Sequence, residues 1–166
     1  LFAASGTNIR PLSNKEACFV TGGRVSRLFM RNKTIDLPLV QGSETTGANS
    51  VAVYDNKKQK PAKYMVAVGG DFAADTVTAG NCAISKDGGN TWQTPEIPPS
   101  GYRSCVEFIT NKKLVTCGTT GVDISEDGGM NWKLISSEGF HVCRKAKNGK
   151  MVFLAGKDGR IAKLER

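Results

Sequence analysis

Arg10, Arg103 and Arg144 each stand near the start of a strand-like run, and guanidiniums at matching places could hold a carboxylate or phosphate in fork geometry. Asn8, Asn49, Tyr102 and His141 occupy comparable places, and Arg24, Asp71 and Asp75 follow in nearby loops. Together they form the candidate ligand or partner site. The competing role for the arginines is bracing, through Glu107 or backbone carbonyls, and the spacing leaves both open. Glycoside hydrolysis needs two positioned carboxylates, or a Tyr nucleophile activated by Glu. Tyr102 and Glu107 are five apart, which puts them on opposite faces of an unbulged strand. His141 is the single histidine and Cys143 lies two residues on, but a Cys–His nucleophile also needs an oxyanion site. No catalytic residue is assigned on these grounds.

Other chemistries lack their signatures. No GxGxxG opens a helix and no GxxxxGK[ST] occurs, and the five cysteines show no CxxC spacing, so neither cofactor nor metal is expected. The net charge is +8, from 23 Lys+Arg against 15 Asp+Glu, which favours acidic partners. Aromatics make up 7% and do not interleave with the basic run DNKKQKPAK at 55–63, so nucleic acid is not the expected partner. No run of about 18 apolar residues exists to span a bilayer.

These residues must be positioned by a repeat. SKDGGNTW at Ser85 to Trp92 returns as SEDGGMNW at Ser125 to Trp132, 40 residues later. A period of about 40 residues fits a four-stranded antiparallel β-propeller blade. Glycines give a second repeat: Gly6, Gly47, Gly101 and Gly139 each precede a strand-like run, followed by a second run ending in glycine (FVTGG, VAVGG, LVTCG, FLAG). Helical periodicity is absent. The expected fold is all-β, with about four four-stranded units at 1–40, 41–96, 97–136 and 137–166. The first unit carries RNKTIDLPL in place of the boxed phrase, and the fourth stops near its third strand. Since propellers close with four to eight blades, the chain is expected to be part of a larger ring that begins at a processed or fragmentary end. Its partners would be the remaining blades or a second copy.

Within the boxes, Gly88–Gly89 and Gly128–Gly129 tolerate positive φ. Ser85 and Asp87, and likewise Ser125 and Asp127, can accept N–H groups of their own turn. Trp92 and Trp132 fold back as apolar anchors between units. A calcium loop would need oxygen ligands at alternate positions ending in a bidentate Glu, which neither copy has.

The pattern SxDGGxxW, with Gly89 and Gly129 as its second glycines, resembles the Asp box of the bacterial neuraminidase (BNR) repeat. With FVTGG, VAVGGDF, GYRSCVEF and TCGTTGVDISEDGG, the chain looks most like the photosystem II stability/assembly factor-like propellers. The resemblance covers nearly the whole chain and implies the C-terminal half of a ring of about seven blades. It also implies an exported, periplasmic or extracellular protein acting as a non-enzymatic binding or assembly scaffold, with an arginine-rich channel face for an acidic or carboxylate-bearing partner, protein or glycan. A sialidase-like glycoside hydrolase, or a surface glycan-binding module on the same fold, is the alternative. The FRIP-type phrase of sialidases is absent, because NIRPL puts Arg10 directly before Pro11.

Overall fold

A computed structural model describes residues 6–12, 15–54 and 63–165. The basic stretch at 55–62 lies outside them. Four antiparallel sheets follow one another along the chain. The first is β1 (Ile9–Pro11), β2 (Ala17–Thr21), β3 (Arg27–Met30) and β4 (Lys33–Asp36), and the second β5 (Thr46–Val53), β6 (Met65–Asp71) and β7 (Cys82–Ser85). The third is β8 (Cys105–Phe108), β9 (Leu114–Gly118), β10 (Gly121–Ser125) and β11 (Lys133–Ser136), and the fourth β12 (Val142–Lys145), β13 (Val152–Ala155) and β14 (Ile161–Leu164). Each is a meander in chain order.

One departure from the four-strand expectation has a local cause, while the fourth sheet ends at its third strand as expected. In the second sheet the segment after the boxed turn makes only a bridge, with reciprocal Ile84–Gln93 backbone bonds of 2.8 and 2.9 Å. Pro95, Pro98 and Pro99 follow and lack the N–H groups a ladder requires. The first sheet needs no box because β3 and β4 join through a two-residue turn, with Arg31 and Asn32 both at positive φ (49° and 60°).

The core consists of three seams between successive sheets. Cys18, Val20, Leu28 and Met30 meet Val51, Met65 and Ala67; Val66, Val68 and Ile84 meet Val106, Phe108 and Leu114; Cys105, Val115 and Cys117 meet Phe140, Cys143, Val152 and Leu154. Strand alternation thus gives each interior sheet two buried faces; β7 and β9 are buried throughout, and β6 is buried from Met65 to Gly70. The terminal sheets each keep one face open. On the first, Ile9, Phe19 and Phe29 form one cross-strand row, the phenyl rings stacked at 4.8 Å and Ile9 54% exposed. On the fourth, Phe153 and Ile161 are exposed.

The sheets approach closely where glycine replaces a side chain. A Cβ on Gly118, at the end of β9, would lie 2.0 Å from the Tyr102 carbonyl oxygen, so any other residue would force the chain entering β8 away.

Candidate functional site

The first strands of the four sheets lie side by side, and one position on each is equivalent. Arg10, Ala52, Glu107 and Arg144 each stand two residues before the residue whose N–H closes the first hairpin: Leu12 to Glu16, Tyr54 to Tyr64, Ile109 to Lys113, Ala146 to Met151. The short side chain of Ala52 leaves Arg10 free to reach past its own neighbour. Arg10 donates from Nε to the Val51 carbonyl (2.9 Å) and from Nη2 to Glu107 Oε2 (2.9 Å). From the other side Arg144 Nη1 reaches the same Glu107 oxygen (3.2 Å), while its Nη2 donates to the Gly6 carbonyl (3.2 Å). Two guanidiniums therefore share one carboxylate oxygen, an excess of one positive charge. The Arg144 side chain is 41% exposed, those of Arg10 and Glu107 under half as much.

Arg103 is not part of this cluster. Expected as a ligand-binding residue, it has its side chain fully buried, with every donor taken up inside the third sheet, which is the bracing alternative. Its Nε donates to Asp123 Oδ2 (2.6 Å), Nη1 to the Tyr102 carbonyl (2.8 Å) and Thr120 Oγ1 (2.9 Å), and Nη2 to the Ser100 carbonyl (3.0 Å) and Asp123 Oδ2. Asp123 Oδ1 in turn accepts the Ser100 hydroxyl (2.8 Å). This is a brace, and it lies at the start of the run, four residues from the equivalent position held by Glu107.

The remaining candidates are dispersed. Asn49 is buried and donates to the Ser104 carbonyl (3.1 Å), and Ser104 Oγ donates to the carbonyl of exposed His141 (2.8 Å). Asp71 caps its own turn through the Ala73 N–H (2.9 Å). Tyr102 is buried edge-on to Phe72, and burial pushes its hydroxyl up to about 12. Arg24 is exposed on the β2–β3 turn, and Asn8 is half-buried just ahead of β1. Glu107, the hub, was legible in the sequence only as a possible brace partner. The signal that finds it is the offset of two from each hairpin closure.

No protein-family model and no curated protein sequence matches the chain. Among solved structures it superposes on YCF48 bound to a D1 peptide (TM-score 0.62, 14% identity), covering 97% of this chain and 52% of that one. The WD40 β-propeller domain of Doa1 gives 0.61 at 12% identity, covering 95% and 50%. An ancestral GH74 enzyme gives 0.59 at 17%, covering 88% and 21%. The fold is a partial β-propeller. Each sheet is a blade, and the chain spans about half the length of the first two structures. At these identities the likeness concerns the fold, and residue roles rest on the geometry above.

The boxed turns of this propeller are closed by their own residues. Ser85 Oγ accepts the Gly89 N–H (2.8 Å) and donates to Asp87 Oδ1 (2.8 Å), while Asp87 gathers the Thr91 hydroxyl (2.6 Å) and the Asn90 and Thr91 N–H groups. Ser125 and Asp127 repeat the pattern around Gly129 and Asn131. Trp132 is buried in the seam between blades 2 and 3 and Trp92 packs on that between blades 1 and 2, each indole N–H reaching the second box glycine, Gly129 or Gly89. Gly89 holds a positive φ of 87° that disfavours any L side chain, and a Cβ there would press on the Met30 and Met65 sulfurs at 3.0 Å, which would have to give by a few tenths of an ångström.

The Thr91 hydroxyl and then its N–H hold the Asp87 carboxyl down to about 2, with Ser85 and Asn90 adding to them against a small cost of burial. Burial of the Asp127 carboxylate works in the raising direction, but bonds from Asn131, Ser125 and Met130 outweigh it and the net shift is downward. A folded value below the unfolded one of about 4 means stabilisation present above that pH and lost as pH falls toward about 2. Asp87→Asn is therefore expected to lower the melting temperature at neutral pH, with the gap from the parent narrowing across that window. A gap constant from pH 6 to pH 2 in circular-dichroism melts, roughly the span of that titration, would contradict the linkage.

Proposed function

We propose that the chain acts as a non-enzymatic binding or assembly scaffold in which Arg10 and Arg144 receive a carboxylate of an acidic partner. The observation that carries this reading is the shared Glu107 oxygen. Two guanidiniums with one carboxylate between them, one of them substantially exposed, are one anion short of balance. The net charge of +8 favours encounter with acidic chains, and YCF48, which shares the fold, is bound to a peptide. The open faces of blades 1 and 4 take further propeller blades, since the row Ile9–Phe19–Phe29 occupies the place that Val51–Ala67–Ala83 fills at the seam between blades 1 and 2.

A fluorescent octaglutamate with a free C-terminus, and its amidated octaglutamine counterpart, test the arginine site by anisotropy. The acidic peptide is expected to bind with marked salt dependence, and Arg144→Glu to weaken it at least about tenfold, the scale of a lost charge-assisted pair. Equal binding of the two peptides, or unchanged binding by Arg144→Glu with an unchanged melting temperature, would sink the assignment. Binding of sialyllactose in place of the peptide would favour the glycan-binding alternative.

A further inference from the structure

Three of the five cysteines converge in the seam between blades 3 and 4. Cys105 of β8 stands opposite Cys117 of β9, and Cys143 arrives from β12 of the next blade. Cys143 Sγ lies 3.6 Å from Cys105 Sγ, and Cys105 Sγ is 3.3 Å from the Cys143 carbonyl oxygen, to which it donates. All three are fully buried, among Val115, Phe140, Val152 and Leu154. Contacts from the Cys117 and Cys143 thiols hold the Cys105 thiol well below its usual range, whereas the same contacts push Cys143 and Cys117 up. Among the described residues no group of three His, Cys, Asp or Glu is arranged for a metal ion, so the chemistry open to these thiols is with one another.

We propose that Cys105 and Cys143 form a disulfide that joins blade 3 to blade 4, with Cys117 as the unpaired third thiol. The sulfurs are at van der Waals contact, and closing to a bond of about 2.05 Å requires a shift of about 1.5 Å, within reach of side-chain rotation. Cys105 attacks first: once its proton, held on the Cys143 carbonyl, is given up, the Cys143 S–H that already points at it stabilises the thiolate. With glutathione disulfide as oxidant, Cys105 displaces one glutathione thiolate to form a mixed disulfide. Cys143 thiolate then attacks the Cys105 sulfur and releases the second. Two electrons pass to the oxidant, and the two cysteine protons end on two molecules of glutathione.

Burial sets the rate, and the fold provides the opening. Blade 4 packs on the described chain through one face only, its other face exposing Phe153 and Ile161, and it has three strands. Like the first blade it buries one face against the described chain, and local opening of this blade would uncover both thiols together. The crosslink also bears on the arginine pair. Cys105 is two residues before Glu107 and Cys143 is next to Arg144, so the crosslink fixes the two strands that carry the Arg144–Glu107 pair.

The whole chain would be equilibrated across a series of reduced-to-oxidised glutathione ratios, quenched in acid, alkylated after unfolding and mapped by mass spectrometry. One disulfide per chain is expected, linking the Cys105 and Cys143 peptides, with Cys18, Cys82 and Cys117 alkylated. Formation should quicken in dilute urea, and the oxidised chain should melt several degrees above the reduced one. Cys117→Ser should form the same bond and Cys143→Ser none, both first shown to melt cooperatively under reducing conditions. Five alkylated cysteines at the most oxidising ratio, or a Cys105–Cys117 bond in the parent chain, would overturn the proposal.

Discussion

Replacing Arg103 with leucine should cost about 3–5 kcal/mol of stability, the effect of leaving one member of a buried ion pair uncompensated. Arg103 and Asp123 are both inaccessible to solvent, and every donor group of the guanidinium has a partner within the third blade. Without it the Asp123 carboxylate keeps only the Ser100 N–H and hydroxyl (3.2 and 2.8 Å). At about 2–4 °C per kcal/mol for a chain of this size, the melting temperature should fall on the order of 10 °C. Arg103→Lys keeps the charge but cannot reach Asp123, Thr120 and two carbonyls at once, so its loss should be intermediate. The double change Arg103→Leu with Asp123→Leu removes the orphaned charge and should recover a substantial part of the loss, a positive coupling in the double-mutant cycle. Urea denaturation of the parent, Arg103→Leu, Asp123→Leu and the double variant closes the cycle, with Arg103→Lys measured beside them. A midpoint for Arg103→Leu within error of the parent would show that the brace carries no weight.

How far the sequence led is clearest at the arginines. Three near the starts of the first, third and fourth runs look alike in a one-dimensional reading, because strand starts are marked by glycines and the glycines repeat. What separates them is hairpin register. Arg10 and Arg144 share an offset from the first turn with Glu107, whereas Arg103 falls four residues earlier, at the level of the loops, where Asp123 and the Ser100 carbonyl enclose it. Loop lengths vary between blades, so that offset is hidden until the ladder bonds are known. The boxed turns were far more legible, since Ser85, Asp87, Gly89 and Trp92 act within eight residues and their bonds are local. The missing fourth strand of blade 2 was also written locally, in Pro95, Pro98 and Pro99, but the blade period concealed it. The thiol cluster could not be read at all, because Cys105 and Cys143 meet only when two blades pack.

The purified chain should self-associate, and the doubly substituted Phe19→Glu, Phe29→Glu form should not. Two apolar faces remain open, and they differ: a stacked Phe19–Phe29 pair beside Ile9 on blade 1, Phe153 and Ile161 on blade 4. Unlike faces on one chain make a head-to-tail contact, which closes into a ring or runs on into a filament according to the rotation between copies. At the seam between blades 1 and 2 the place of Ile9, Phe19 and Phe29 is taken by Val51, Ala67 and Ala83, all fully buried. The larger side chains on the open face therefore hold the positions that are buried at the blade 1–2 seam, and a second copy seated there would bury them. Two carboxylates there put charge into the contact while leaving the buried face of the same strands, Cys18, Val20, Leu28 and Met30, untouched. Light scattering should show an apparent mass that rises with concentration for the parent and stays at one chain for the variant, with closely similar melting temperatures. A parent that remains monomeric at concentrations of order 100 μM, at the weak end for specific protein–protein contacts, would mean that this face does not receive a blade from a second copy.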